Sequence, residues 1–120
     1  MTGPLWHCHI ERESTESVLI LSISGRARMA AARELETALT EAVRSGSPVV
    51  IDLTKIDYIS GAGLAAFQAA ADGRDGPFVI CGVRQPVEIA MELAGVFGHL
   101  AVEPTRSEAV ARAKRAPHSR

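Results

Sequence analysis

The stretch Val49-Val-Ile-Asp-Leu-Thr-Lys-Ile-Asp-Tyr-Ile-Ser-Gly-Ala-Gly-Leu-Ala-Ala-Phe-Gln-Ala-Ala-Ala71 decides the fold. Its first five residues form a short apolar run rich in β-branched side chains, which is how a strand buried on both faces reads. After a short turn, the segment from Gly61 to Ala71 is alanine-rich and sets Leu64, Phe67 and Ala71 on one stripe, as in a helix. A buried strand that leads into a helix is half of a parallel crossover.

The same alternation continues to both sides. Upstream, Val18-Leu-Ile-Leu-Ser-Ile23 is a second apolar run stopped by Gly25. From Met29 the period changes to three and four: Met29, Ala32, Leu35, Leu39 and Val43 face inward, and Arg33, Glu34, Glu36, Glu41 and Arg44 fall between them, until Gly46 and Pro48 end the helix. Downstream, the turn cluster Asp72-Gly-Arg-Asp-Gly-Pro77 precedes the strand Phe78-Val-Ile-Cys81. A third helix runs from Pro86 to about Val96, with Val87, Ala90, Leu93 and Ala94 inward. Leu100-Ala-Val102 closes as a short strand, and residues 106 to 115 make a last helix with Ala109, Val110 and Ala113 on one side.

Strands separated by helices of this length require right-handed crossovers and hence a largely parallel sheet. Trp6-His-Cys-His-Ile10 alternates and is followed, after a polar turn, by Val18, so these two strands should pair as an antiparallel hairpin at the sheet edge. The expected fold class is α/β: a mixed, mostly parallel sheet of four to five strands with about four helices. Residues 1–115 should form one domain, and 116–120 a disordered tail in which Pro117-His-Ser-Arg120 frays.

Composition sets the boundaries of function. A chain of 120 residues that is 47% hydrophobic and 22% charged can bury its own core. Its 13 basic and 14 acidic residues leave a formal charge of -1, which gives no field to attract nucleic acid or an anionic membrane. Cys8 and Cys81 stand far apart outside any C-x-x-C pair and read as reduced thiols. The N-terminus lacks the basic and apolar regions of a signal peptide, and no run is long enough to span a membrane, so a cytoplasmic location is expected.

Motifs for chemistry are scarce. Gly61-Ala-Gly63-Leu-Ala-Ala66 fits G-x-G-x-x-A, but Thr54 to Ser60 separate it from its strand, and Cys81-Gly82 stands where a ribose-binding acid belongs. His7-Cys8-His9 offers two imidazoles on one side of a strand. His99 and His118 have no paired spacing to complete a metal site, so an edge strand with half-exposed rings is the preferred reading and no metal is expected. Asp52 has no evident acid/base mate and is read as satisfied by backbone amides at its strand end. No catalytic residue and no cofactor is assigned, and the chain is read as no enzyme.

Asp52-Leu-Thr-Lys-Ile-Asp-Tyr-Ile-Ser60-Gly-Ala-Gly63-Leu64 resembles the signature of the STAS domain of bacterial anti-sigma factor antagonists. In that family a strand ending D-L-S leads through an apolar turn to a serine-containing element and then to G-L at a helix start. The order of elements fits from about Val18 to Ala113, and Gly25 and Gly82 fall where the family has glycine. The resemblance implies a STAS-like fold and a protein that binds a partner which is both anti-sigma factor and serine kinase. In the family that partner phosphorylates a serine or threonine before G-L, and the unphosphorylated form binds it and releases sigma. A phosphate there would sit on free amides at the positive end of a helix dipole and place about two negative charges on the surface.

This sequence departs from the pattern at two places. Gly61 and Ala62 occupy the two usual hydroxyl positions, with Ser60 one residue earlier, and Arg28 stands where many relatives have an acid that contributes to partner binding. Ser60 is thus an N-cap accepting from Ala62 or Gly63, a displaced phosphoacceptor, or both in turn. The resemblance puts the partner-binding loop at Tyr58, Ile59, Ser60, Gly61, Ala62, Gly63 and Leu64, with Arg28 beside it. Expected partners are an anti-sigma factor or serine kinase-like protein, without nucleic acid or membrane insertion, and a weak homodimer is left open. The other reading is a non-phosphorylated STAS subunit that regulates a transporter or a larger signalling complex.

Overall fold

A computed structural model describes residues 8–74 and 76–115. Strands β1 (Cys8–Thr15) and β2 (Val18–Ala27) form the antiparallel hairpin, in register from Cys8 opposite Gly25 to Thr15 opposite Val18. The hairpin is longer than alternation suggested, because only Glu16 and Ser17 make the turn. Both adopt left-handed backbone, with φ of 51° and 71°. That geometry matches the twist of the flanking strands and closes a two-residue loop without glycine. Trp6 and His7 lie outside the described residues, as does the 116–120 tail.

Parallel to β2 run β3 (Val49–Ile59), β4 (Phe78–Cys81) and β5 (Ala101–Glu103), giving the sheet order β1-β2-β3-β4-β5. Helices α1 (Ala32–Arg44), α2 (Gly61–Asp72) and α3 (Gln85–Ala94) are the crossovers, and α4 (Arg106–Arg115) ends the fold. The larger core lies on the face covered by α1, α2 and α3, with Leu35, Leu39, Phe67, Val87 and Met91 packed on Ile51, Leu53 and Ile80. On the other face Ala109 and Ala113 of α4 cover Val18, Ile20, Val50, Val79 and Cys81.

Three expectations need correction. The segment after Leu53 is no turn: β3 continues to Ile59 through two irregularities, where Ser22 and Ser24 face Asp52 and Lys55, and Gly25 and Arg26 face Ile56 and Tyr58. Each extra residue resets the alternation, so the inward side chains are Ile51, Leu53, Ile56 and Ile59. Met29 does not open the first helix inward. It lies in a 3-10 turn, Met29–Ala31, and is 75% exposed. On α3, which stops at Ala94 before a left-handed Gly95, the inward residues are Val87 and Met91, with Ala90 partly buried, while Leu93 and Ala94 face solvent.

Candidate functional site

The carboxyl ends of β2 and β3 meet at one rim of the sheet. The Ser60 amide donates to the Ala27 carbonyl at 2.7 Å, which ties the start of α2 to the end of β2. The Ser60 hydroxyl oxygen then accepts from the Gly63 amide at 3.1 Å, the geometry of an N-cap, and its carbonyl accepts from the Leu64 amide at 2.9 Å. Ser60 is 8% exposed.

The glycines here serve packing. A Cβ on Gly63 would stand 2.9 Å from Ile59 Cγ1, so glycine lets the first turn of α2 close over the end of β3. Gly61 has helical backbone and open space where its Cβ would be. No phosphate cradle is needed to explain the pair.

The predicted loop residues divide by exposure. Ile59, Ser60, Gly63 and Leu64 are buried and hold the turn; Arg28, Tyr58, Gly61 and Ala62 are at the surface. Three neighbours were missed by sequence reading. Met29 joins Arg28 at the surface, the Arg26 guanidinium lies 5.1 Å above the Tyr58 ring, and Arg26 also approaches Asp57 at 3.9 Å. Arg26 and Tyr58 are cross-strand partners only because of the second irregularity in β3.

A second polar cluster occupies the α4 face of β1, β2 and β3. Arg106 donates to Asp52 Oδ2 at 2.9 Å, to Glu13 at 2.7 Å and to Ser22 Oγ at 2.6 Å. Asp52 Oδ1 accepts from the Thr54 amide at 2.9 Å and the Thr54 hydroxyl at 2.5 Å. Asp52 is thus satisfied by one backbone amide, as expected, and also by two side chains. Burial pushes its pKa up, but the bonds from Thr54 and the bond and charge of Arg106 outweigh this and hold it below the ordinary carboxylate value. Burial lowers the pKa of Arg106, and the hydrogen bond and charge of Asp52, with the charge and hydrogen bond of Glu13, more than restore it.

A cavity of about 280 Å³ opens beside this cluster, lined also by His9, Glu11, Ser24 and Lys55. An ionised carboxylate with its acceptors filled is no poised acid or base. We read the cluster as a clasp between α4 and three strands. His9 is exposed next to Glu11, and among the described residues no group of His, Cys, Asp and Glu could hold a metal ion. Cys8 and Cys81 are free, buried thiols; burial above all pushes them up to about 11 and about 12. Such thiols are poor nucleophiles at neutral pH. No helix among the described residues is long and apolar enough to cross a membrane.

Comparison with known proteins places this geometry. Residues 10–103 match the family described as "Mlab, STAS domain". The chain is 32% identical over 108 residues to BtrV of Bordetella bronchiseptica, which bears the name of an anti-sigma factor antagonist, with 87% of this chain and 93% of that protein aligned. Its fold is similar to the crystal structure of an anti-sigma factor antagonist from Mycobacterium paratuberculosis, with TM-score 0.83 at 24% identity, covering 95% of this chain and 99% of the other. It is also similar to the Bacillus cell fate determinant SpoIIAA in its phosphorylated form, with TM-score 0.65 at 12% identity, covering 87% and 98%.

Proposed function

Since this chain belongs to the STAS-domain family of anti-sigma factor antagonists, we propose that it works in the cytoplasm, without catalysis, by docking on an anti-sigma factor or serine kinase-like protein. The contact is made by the rim where β2 and β3 end. The observation that carries the reading is the exposure of Met29 and Tyr58, a large thioether and an aromatic ring 41% open to solvent, beside a closed and capped turn. Large adaptable and aromatic side chains on a rigid support are what interface cores use. Arg28 and the Arg26–Tyr58 stack add cationic groups to the same surface.

The docking is not switched by phosphorylation of this turn. The Ser60 hydroxyl oxygen is held by the Gly63 amide as a cap and is buried, while the exposed first-turn positions, Gly61 and Ala62, have no hydroxyl. A kinase assay with phosphosite mapping on wild type, Ser60→Ala and Gly61→Ser tests this. Wild type and Ser60→Ala stay unlabelled, and Gly61→Ser, which has the space and backbone for a side chain, gains an acceptor. Efficient labelling of wild type at Ser60 would overturn the unswitched reading, and labelling at Ser22 or Ser24 would remove the site from this rim.

A further inference from the structure

The three helices on the larger core differ on their outer sides. The outer surface of α1 carries Arg33, Glu34, Glu36, Glu41 and Arg44, as a solvated helix should. The outer surface of α2 is Ala62, Ala65 and Ala69, all exposed, and its only polar side chains are Gln68 and Asp72. A helix that is apolar all round is normally covered all round. Its neighbour α3 continues the pattern: Ile89 is 48% exposed and Leu93, one turn on, is 84% exposed. Small residues on one helix and branched ones on the next let another backbone approach and grip it.

Charge selects what can lie there. Between Gly61 and Asp72 and between Gln85 and Ala94 there is no lysine or arginine, and the ionisable side chains are Asp72, Glu88 and Glu92. We propose that the outer surface of α2 and α3 docks an amphipathic helix with a basic flank, supplied by a partner protein. The apolar side of that helix covers Ala65, Ala69, Ile89 and Leu93, and its cations meet the three carboxylates. A second copy of this chain offers no lysine or arginine within these two helices to meet the three carboxylates, and they would repel an anionic lipid surface. This surface is additional to the β2–β3 rim and stands without it.

The test uses the full chain, isotopically labelled for NMR, and a synthetic amphipathic helix of leucine and lysine, with a leucine–glutamate peptide of the same pattern as control. The lysine peptide produces saturable shifts at amides of 65–69 and 87–94, and the glutamate peptide does not. Ile89→Ser with Leu93→Ser alters only exposed side chains, so the variant folds, and it weakens binding about tenfold or more. Tyr58→Ser leaves that affinity unchanged, which separates this surface from the rim. Shifts centred on Glu11 and Glu13 of β1, equal response to both peptides, unchanged affinity in the double variant, or a dimer in sedimentation that the double variant loses would each overturn the proposal.

Discussion

The clasp around Asp52 and the rim around Tyr58 are both surface regions at β2 and β3, yet they are built on opposite principles. The clasp concentrates charge and satisfies it: Arg106 reaches three acceptors, and Asp52 receives bonds from three donors. The rim satisfies its backbone and buried hydroxyl, then leaves an aromatic ring and a methionine in water. Density of ionisable groups would have picked the clasp as the functional site. Unspent contact area favours the rim over the clasp, because a closed network has little left to offer a partner, whereas exposed apolar surface gains by being covered.

The largest effect that sharpens this contrast is on the clasp. Arg106→Ala leaves Asp52, whose side chain is 12% exposed, without its cation. The cost is about 1–3 kcal/mol, held below the fully buried range because Arg106 itself is partly solvated. Thermal melting should fall by several degrees. Asp52 has a lowered pKa in the fold, so its contribution is present above the unfolded value of about 3.9 and disappears as pH falls through the lower folded value. The gap between wild type and Arg106→Ala should therefore be flat near neutrality and narrow in acid below about pH 4. A gap that widened in acid would show that Asp52 is not the group Arg106 holds.

An intermediate effect belongs to the cap. Ser60→Ala removes the acceptor of the Gly63 amide but keeps the backbone bond to Ala27, so the loss is about 1 kcal/mol. Chemical denaturation measures it. A loss near zero would mean that another group satisfies the Gly63 amide and that the Ser60 hydroxyl is free for modification.

How far each region was legible follows from the distance over which its pattern acts. Strands Val18–Ile23 and Phe78–Cys81, the phases of α1 and α2 at Leu39 and Phe67, and the Ser60 cap rest on periodicity or on neighbours three residues apart, and a sequence displays these. The second half of β3 reads as a turn in the sequence because two irregularities move the inward residues from a step of two to steps of three, to Ile56 and Ile59. That erases the alternation by which a strand is recognised. Leu93 reads as core in the sequence since an apolar residue in helical phase has no other local meaning; its exposure is visible only once α3 is oriented by Val87 and Met91. Arg106 and Asp52 are 54 positions apart, with no local signal to join them. Arg26 and Tyr58 become neighbours through the same irregularity that hid the strand.

The smallest effect on stability should accompany the largest effect on binding. Met29 is solvated in a 3-10 turn and Tyr58 rests on Arg26 at the surface, so neither fills the core. Met29→Ser with Tyr58→Ser should lower folding stability by about 0.5 kcal/mol, the low end of what an exposed stack such as that of Arg26 on Tyr58 is worth. The same pair removed from an interface core costs about 2 kcal/mol or more, which is over tenfold in affinity for an anti-sigma factor partner. Arg106→Ala should do the reverse: it lowers the melting temperature and leaves affinity unchanged at temperatures where the chain is folded. Calorimetric binding and thermal melting of both variants separate the two regions. If the serine pair lost stability and kept affinity, the exposed ring and thioether would belong to the fold and the rim would not be the docking surface; if Arg106→Ala lost affinity while folded, the clasp would be part of the site after all.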